Sequence, residues 1–553
     1  MGIFIGYPSF MAYQMMKGKK GNNDGFPSIP GMIARYSALG LTNEQMAENP
    51  VWKDLIGNGH DLQMKNFAWK GMSGVGGYAV DIDEWGTNST MAYYERNSIK
   101  ITATFKENAS LGLLYHNIKL RQSCVLKVTG IPEGCDAFLD DRLGNRFYMS
   151  EDGVYEIIPS NFLAEVLYLS IEKYPERWYR SKLTIEQLPL YPGFILGDGV
   201  DDFAVTEKEL NFEDTYTVYT AFIPFQVDPV RAMEMCGKDF KKDFYLYYSN
   251  THVVYYTSGL NNYIPVRINQ FHIIVCKRNK TNAVIKNLIT GESKTFSVSE
   301  LIDNPGVYYL WRYQRSGTST AKTAIAGQTI CNGYFSTDED DEKVLDWYKK
   351  QYPWLFPDQA WTVVGKTNED EDRATIANIT GNGNDLVLSN FGFAEGSGYN
   401  EQGEYAGYLV TDGVDDKIVS SSFGMGKDFT VVGEWTLLQN INVSSLRKQS
   451  SFIIRNNDLG LSLFINKVSH SILVHTKSLR AFCSNGVLYK SDWTEQIDTT
   501  PQDITSSNSE LLIASHKLEY DKIAFKNLAI YPTVLSKDDC IKAYNYLQTL
   551  KAK

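Results

Sequence analysis

Short, largely apolar runs of four to eight residues, rich in Val, Ile, Phe and Thr, recur between polar stretches along most of the chain. DFTVVGEWTLL, SFIIRNN, LSLFINK, SILVHTK and ELLIASHK are of this kind. They are separated by Asn, Gly, Asp and Ser, whose local hydrogen bonds or free backbones favour turns, so each run predicts one β-strand. SIKITATF, CVLKVTGI, VYEIIP, VLYLSIEK and KLTIEQLPLYP repeat the pattern and predict a second group of strands over about residues 98 to 187. Two segments switch to a helical period. EDDEKVLDWYKKQY puts Val344, Leu345, Tyr348 and Tyr352 on one face, and LSKDDCIKAYNYLQTL does the same with Cys540, Ile541, Tyr544 and Leu547. Many short strands with two helices predict an all-β protein built of sandwiches.

The strand pattern is duplicated. Gly57-Asn58-Gly59, Asp61-Leu62 and Asn66-Phe67 recur as Gly381-Asn382-Gly383, Asp385-Leu386 and Asn390-Phe391, all 324 positions on. Asp-Gly-Val-Asp-Asp occurs at Asp198 to Asp202 and at Asp412 to Asp416, only 214 positions apart. The first copy therefore holds 324 − 214 = 110 extra residues between its matching pieces, as expected of a module inserted in a loop.

With 553 residues, 43% of them hydrophobic, the chain can bury several cores, and a net charge of −11 without a basic run argues against nucleic acid as a partner. The seven cysteines are scattered and never form C-x-x-C, which predicts unpaired buried thiols in a reducing compartment. No apolar run approaches the roughly 20 residues needed to cross a bilayer. The first residues, MGIFIGYPSFMAYQMMKGKK, have their charges after the apolar part, unlike a secretory signal.

The GNGNDL turn, DGVDD heading a strand, the F-T-V-x-x-E-W strand and the closing LAIYPTVLSKDDCIKAY together resemble the laminin-G-like, concanavalin A-like lectin jelly roll. That resemblance implies two jelly rolls of antiparallel strands. The stretches DLIGNGHDLQMKNFAWKGMSGVGGY and KLTIEQLPLYPGFILGDGVDD are similar to virion proteins of crAss-like tailed phages. The expected organisation is an attachment arm over 1–30, a jelly roll over 31–97 and 190–352, an inserted sandwich over 98–189, a linker over 353–357 and a second jelly roll over 358–553. The resemblance implies a fibre or head/tail surface component of a virion, assembled in the host cytoplasm. Its implied partners are other virion proteins, its own copies as a homo-oligomer, expected to be a trimer, and host-surface glycans. A glycan depolymerase and a host-encoded carbohydrate-binding adhesin are the alternatives.

Candidate chemistry is sparse. Asp198, Asp201 and Asp202, and likewise Asp412, Asp415 and Asp416, read first as turn-shaping residues around Gly199 and Gly413. Three carboxylates in five residues could also supply part of a calcium shell, and some members of the resembled family hold calcium at a loop rim. No other cofactor is expected. VDIDEWG, read as a strand, would line up Asp81, Asp83 and Trp85, an incomplete version of the acid row of retaining glucanases, so no catalytic residue is expected. The histidines form no metal or nucleophile pattern. In NPGVYYLWRYQRSG, alternation buries Tyr308 and Leu310 and exposes Tyr309, Trp311 and Tyr313, a candidate sugar-stacking row.

Overall fold

The computed structural model describes residues 24–552, except 108–109, 120–123, 158–161, 163, 165, 226–230, 237–243, 258–259, 300–305, 312–320, 404, 439–443, 449–451, 458–459, 466–478, 491–492, 498–508, 514 and 517–518. Of the described residues, strand accounts for 46% and helix for 10%. The protein is all-β, and the sheets are antiparallel throughout the described residues.

The described residues of 24–81 and 189–351 make one compact unit. One of its sheets runs, neighbour to neighbour, through Ser293–Ser297, Asn282–Asn287, His272–Arg278, Tyr216–Pro224, Lys322–Asn332, Ile195–Asp198 and Gly74–Val75, with Met32–Ser37 also on Lys322–Asn332. The other runs through Val51–Trp52, Leu62–Lys65, Phe203–Thr206, Tyr308–Leu310, Arg231–Cys236, Phe244–Tyr248, His252–Thr257 and Leu260–Pro265. Both sheets combine strands from before and after the inserted segment, with Gly74–Val75 and Val51–Trp52 at their edges, so neither part closes this core without the other. Between the sheets lies one apolar cluster that includes Trp52, Leu62, Tyr216, Phe244, Tyr255 and Trp311.

The inserted segment forms two five-stranded sheets. Its edge differs from expectation. Gly86–Thr87 pairs with Gly112–Lys119, and Ala92–Arg96 pairs with Lys100–Phe105, so the insertion begins near Ile82 rather than at residue 98. Two further boundaries move for the same reason, burial of apolar side chains. In the expected arm, Phe26 and Ile29 are buried, and Asp24 pairs with Arg35; residues 1–23 lie outside the described residues. In the expected linker, Trp354 and Leu355 are buried, and Tyr531 donates a hydrogen bond to the Trp354 carbonyl at 2.9 Å, which makes the segment part of the C-terminal sandwich.

That C-terminal sandwich repeats the plan. Thr430–Leu437 lies between Ile523–Tyr531 and Leu479–Cys483, as Tyr216–Pro224 lies between Lys322–Asn332 and His272–Arg278. Each copy ends in a helix capped by a hydroxyl. Thr337 Oγ1 accepts from Asp340 N at 3.2 Å ahead of Asp338–Gln351, and Ser536 Oγ accepts from Asp539 N at 3.2 Å ahead of Lys537–Thr549. Charge sits at both helix–sheet contacts. In the first copy, buried Lys277 donates to Asp341 at 2.8 Å, and Tyr219 donates to the same carboxylate at 3.0 Å. In the second, Glu434 on the sheet accepts from Tyr544 of the helix at 3.0 Å and lies 3.2 Å from Lys526 and 3.5 Å from Arg480.

Candidate functional site

The twin Asp-Gly-Val-Asp-Asp segments form the same corner. Asp198 Oδ1 accepts from Val200 N at 2.7 Å and from Asp201 N at 3.4 Å, while Asp202 Oδ2 accepts from Asp198 N at 2.9 Å. The second corner reproduces these bonds at 2.7, 3.3 and 2.8 Å through Asp412 and Asp416. Gly199 and Gly413 sit at φ 78° and 76°, and a Cβ on Gly199 would come within 2.8 Å of Lys322 Cβ. Each corner is tied to the matching upstream turn: Asn66 Nδ2 donates to the Asp201 carbonyl at 3.0 Å, and Asn390 Nδ2 to the Asp415 carbonyl at 2.9 Å. The three carboxylates of either corner can each bring an oxygen within 4.8 Å of the others. Burial pushes the Asp202 carboxyl up to about 7 and that of Asp416 up to about 6, because hydrogen bonds to the corner only partly offset lost hydration. Two of the three carboxylates in each corner, Asp198 and Asp202 or Asp412 and Asp416, therefore already serve the corner's own backbone, and calcium would have to share them.

The expected aromatic row is only partly present. Tyr308 and Leu310 are buried and Tyr309 faces outward, but Trp311 leaves the strand with φ 61° and is fully buried. Its ring stacks on Trp52 at 6.2 Å, and Nε1 donates to the Thr323 carbonyl at 3.1 Å. The left-handed turn breaks the alternation on which its exposure was expected. Tyr313 lies outside the described residues.

Tyr309 instead belongs to a row that crosses strands. The register runs from Val205 to Tyr309, Met235, Tyr245, Tyr256 and Asn261, on five adjacent strand pairs. Tyr309, Tyr245 and Tyr256 point away from the apolar cluster that Tyr308, Phe244 and Tyr255 fill; Tyr309 and Tyr245 are partly exposed, whereas Tyr256 is buried. At strand spacings of roughly 4.8 Å, they span about 14 Å. Tyr247, two positions along from Tyr245, widens the face. Its ring lies 4.9 Å from that of Tyr245, and its hydroxyl donates to Asn261 Oδ1 at 3.0 Å. Burial, then the nearby Tyr256, raises the Tyr247 hydroxyl above its ordinary pKa and keeps it neutral. The signal in the sequence was DFYLYYSN, whose alternation assigns Tyr245 and Tyr247 to one face; which strands flank it was not legible.

VDIDEWG is not a strand. Ile82–Glu84 is a single 3-10 turn that buries Ile82 and carries exposed Asp83, with Trp85 buried beyond it, and Asp81 is held by Lys70 at 2.6 Å. The acids therefore do not share a strand face. Of the isolated histidines, His272 is structural. It is fully buried, its Nε2 lies 2.9 Å from the Arg267 carbonyl, and burial lowers its pKa to about 4.

No protein-family model matches the chain, and no curated protein does. Among solved structures, it is similar to a mutant of Trypanosoma rangeli sialidase displaying trans-sialidase activity, at 11% identity over 29% of this chain and 28% of that one, with a TM-score of 0.23. It is similar to the Ruminococcus gnavus IT-sialidase CBM40, at 11% identity over 27% of this chain and 97% of that one, with a TM-score of 0.20. A third likeness is to full-length tailspike protein 2 of an Escherichia coli bacteriophage, at 13% identity over 28% of this chain and 24% of that one, with a TM-score of 0.21. The chain thus spans about a quarter of the length of the sialidase and of the tailspike. Scores this low transfer no function. The class rests on the chain's own topology: an all-β protein of two like sandwiches, the first interrupted by a third.

Proposed function

We propose that the chain is a glycan-binding surface protein of a phage virion, with the tyrosine face of the first jelly roll as its sugar platform. The observation that carries this reading is the register itself, which sets partly exposed Tyr309 and Tyr245 two strands apart on the outer face, with Tyr256 buried beside Tyr245 and with Tyr247 and Asn261 as polar rim. Flat aromatic faces can stack on the apolar faces of sugar rings, and the hydroxyl and amide groups can fix their orientation. The virion setting rests on the resemblance of the DLIGNGHDLQMK and LGDGVDD stretches to virion proteins of crAss-like phages. In this reading the chain works without catalysis, as a fibre or head/tail component among other virion proteins and copies of itself, and calcium at the corners is an optional support.

A glycan array probed with the full chain tests the sugar platform. Tyr245→Ala and Tyr309→Ala should each weaken binding of any retained glycan at least about 10-fold, the effect of losing one stacking contact worth about 1.4 kcal/mol. Unchanged binding in both variants would remove the platform, and release of reducing sugar from a bound polysaccharide would replace adhesion with depolymerisation. Mass spectrometry of purified virions checks the setting.

A further inference from the structure

The two jelly rolls can be superposed residue by residue from strand register. Thr217 is paired with Lys277 and Thr430 with Cys483, so Cys483 occupies the position of Lys277. Both threonines do the same work: Thr217 Oγ1 donates to the Tyr334 carbonyl at 3.0 Å and accepts from Ser336 N, and Thr430 Oγ1 donates to the Thr533 carbonyl at 2.8 Å and accepts from Leu535 N. Asp341 stands four residues after the Thr337 cap, and Cys540 four residues after the Ser536 cap. The ion pair that fastens the helix to the sheet in the first copy is thus replaced by two thiols in the second.

The surroundings have changed in the same sense. Tyr219, Ser336 and Lys286, which serve Asp341, correspond by register and cap to Val432, Leu535 and Tyr489. Cys483 and Cys540 are both fully buried and lie in direct hydrogen-bonding contact. Cys483 Sγ also lies 3.5 Å from Thr430 Oγ1 and 3.9 Å from the Leu535 carbonyl. The cysteine spacing in the sequence, 540 − 483 = 57, gave no hint of this contact.

We propose that Cys483 and Cys540 form an oxidisable pair that closes to a disulfide and fastens the C-terminal helix to its sheet once the protein meets a low-molecular-weight disulfide such as oxidised glutathione. When the first turn of the helix opens, one thiolate attacks a glutathione sulfur and expels one glutathione. The second thiolate then attacks the mixed disulfide and expels the other. The two cysteines lose two protons and two electrons in all, and one glutathione disulfide becomes two thiols. The cross-link closes a long loop and so removes much freedom from the unfolded chain.

The full chain, incubated folded with oxidised glutathione, acid-quenched, denatured, alkylated and digested without reduction, gives the readout by mass spectrometry. The expected product is the Cys483 peptide joined to the Cys540 peptide, two hydrogens lighter than their sum, with a melting temperature for this unit higher by about 5 °C that dithiothreitol reverses. Cys540→Val should abolish both the cross-link and the dithiothreitol-sensitive shift. Should that variant fail to fold, the peptide map of the parent chain decides alone. Full alkylation of both residues after oxidation, a lasting glutathione adduct on either, or Cys483 joined to another cysteine would each overturn the proposal.

Discussion

The first and second jelly rolls share their corners and differ in what those corners hold in place. Asn66 and Asn390, Asp198 and Asp412, and Asp202 and Asp416 make matching bonds to within about a tenth of an ångström. These bonds satisfy backbone groups at a turn, and few side chains fit that geometry. The sheet faces place no such demand. Where the first copy has Tyr309, Tyr245, Tyr247 and Tyr256, the register of the second sets Leu512, Ile453, Arg455 and Phe464. Under the helix, an ion pair stands against a thiol pair. A repeat thus keeps what closes its backbone and varies what it presents.

The largest expected effect lies under the first helix. Lys277→Met leaves Asp341 buried with only Lys286, at 3.3 Å and partly exposed, to balance it, and should cost about 3 kcal/mol in urea unfolding. Adding Asp341→Leu should recover most of that loss, because the second copy fills the same two positions with the uncharged side chains of Cys483 and Cys540. A double variant no better than the single one would break the comparison.

In the second copy the charge lies on the sheet instead. Burial alone would raise the Glu434 carboxyl, but Lys526, Arg480 and the Tyr408 and Tyr544 hydroxyls outweigh it and hold it well below its ordinary value. Glu434→Gln should therefore cost about 2 kcal/mol at neutral pH, since it leaves two cations facing each other. A carboxyl depressed on folding stabilises above its unfolded pKa and loses that contribution as pH falls through the folded one. The variant's deficit should accordingly shrink below about pH 4.5.

The corners titrate in the opposite sense. Asp202 is raised on folding to about 7, so the penalty on the native state is complete at pH 8, shrinks steadily as pH falls below 7 and is gone only below the unfolded carboxyl's pKa of about 4. Asp202→Asn should be a few degrees more stable than the parent chain at pH 8, by a margin that narrows steadily as pH falls to about 5; differences between variants cancel the contrary titration of His272, whose depressed pKa favours the native state at higher pH. If calcium occupied the corner, the parent chain would gain stability from added calcium at pH 8 and lose it to a chelator, and Asp202→Asn would do neither.

The smallest effect tests the likeness of the copies most directly. Asn66→Ala and Asn390→Ala each remove one exposed side-chain bond to a corner carbonyl and should cost about 0.5–1 kcal/mol, equal within error. A clearly unequal pair would show that the corners bear different loads.

Strand content, duplication and the insertion were legible because they depend on local alternation and on repeated turn residues, Gly57, Gly59, Gly199 and their counterparts, whose backbone demands are nearly independent of context. The two helices were legible for the same reason. Boundaries were less so. Ala92–Arg96 reads as a strand without showing its partner, and Trp354 reads as linker until Tyr531 is seen to hold its carbonyl. Trp311 continues an exposed alternation on paper, and one residue at positive φ turns it into the core.

By itself, the sequence determined an all-β chain, a doubled plan and two acidic corners, since each follows from interactions within a few residues or from comparison of one stretch with another. Only the tertiary structure decided that Tyr309, Tyr245 and Tyr256 share a row and that Cys483 touches Cys540. Those contacts are set by strand order and register, which bring together residues tens of positions apart, and no local pattern encodes which strand lies beside which.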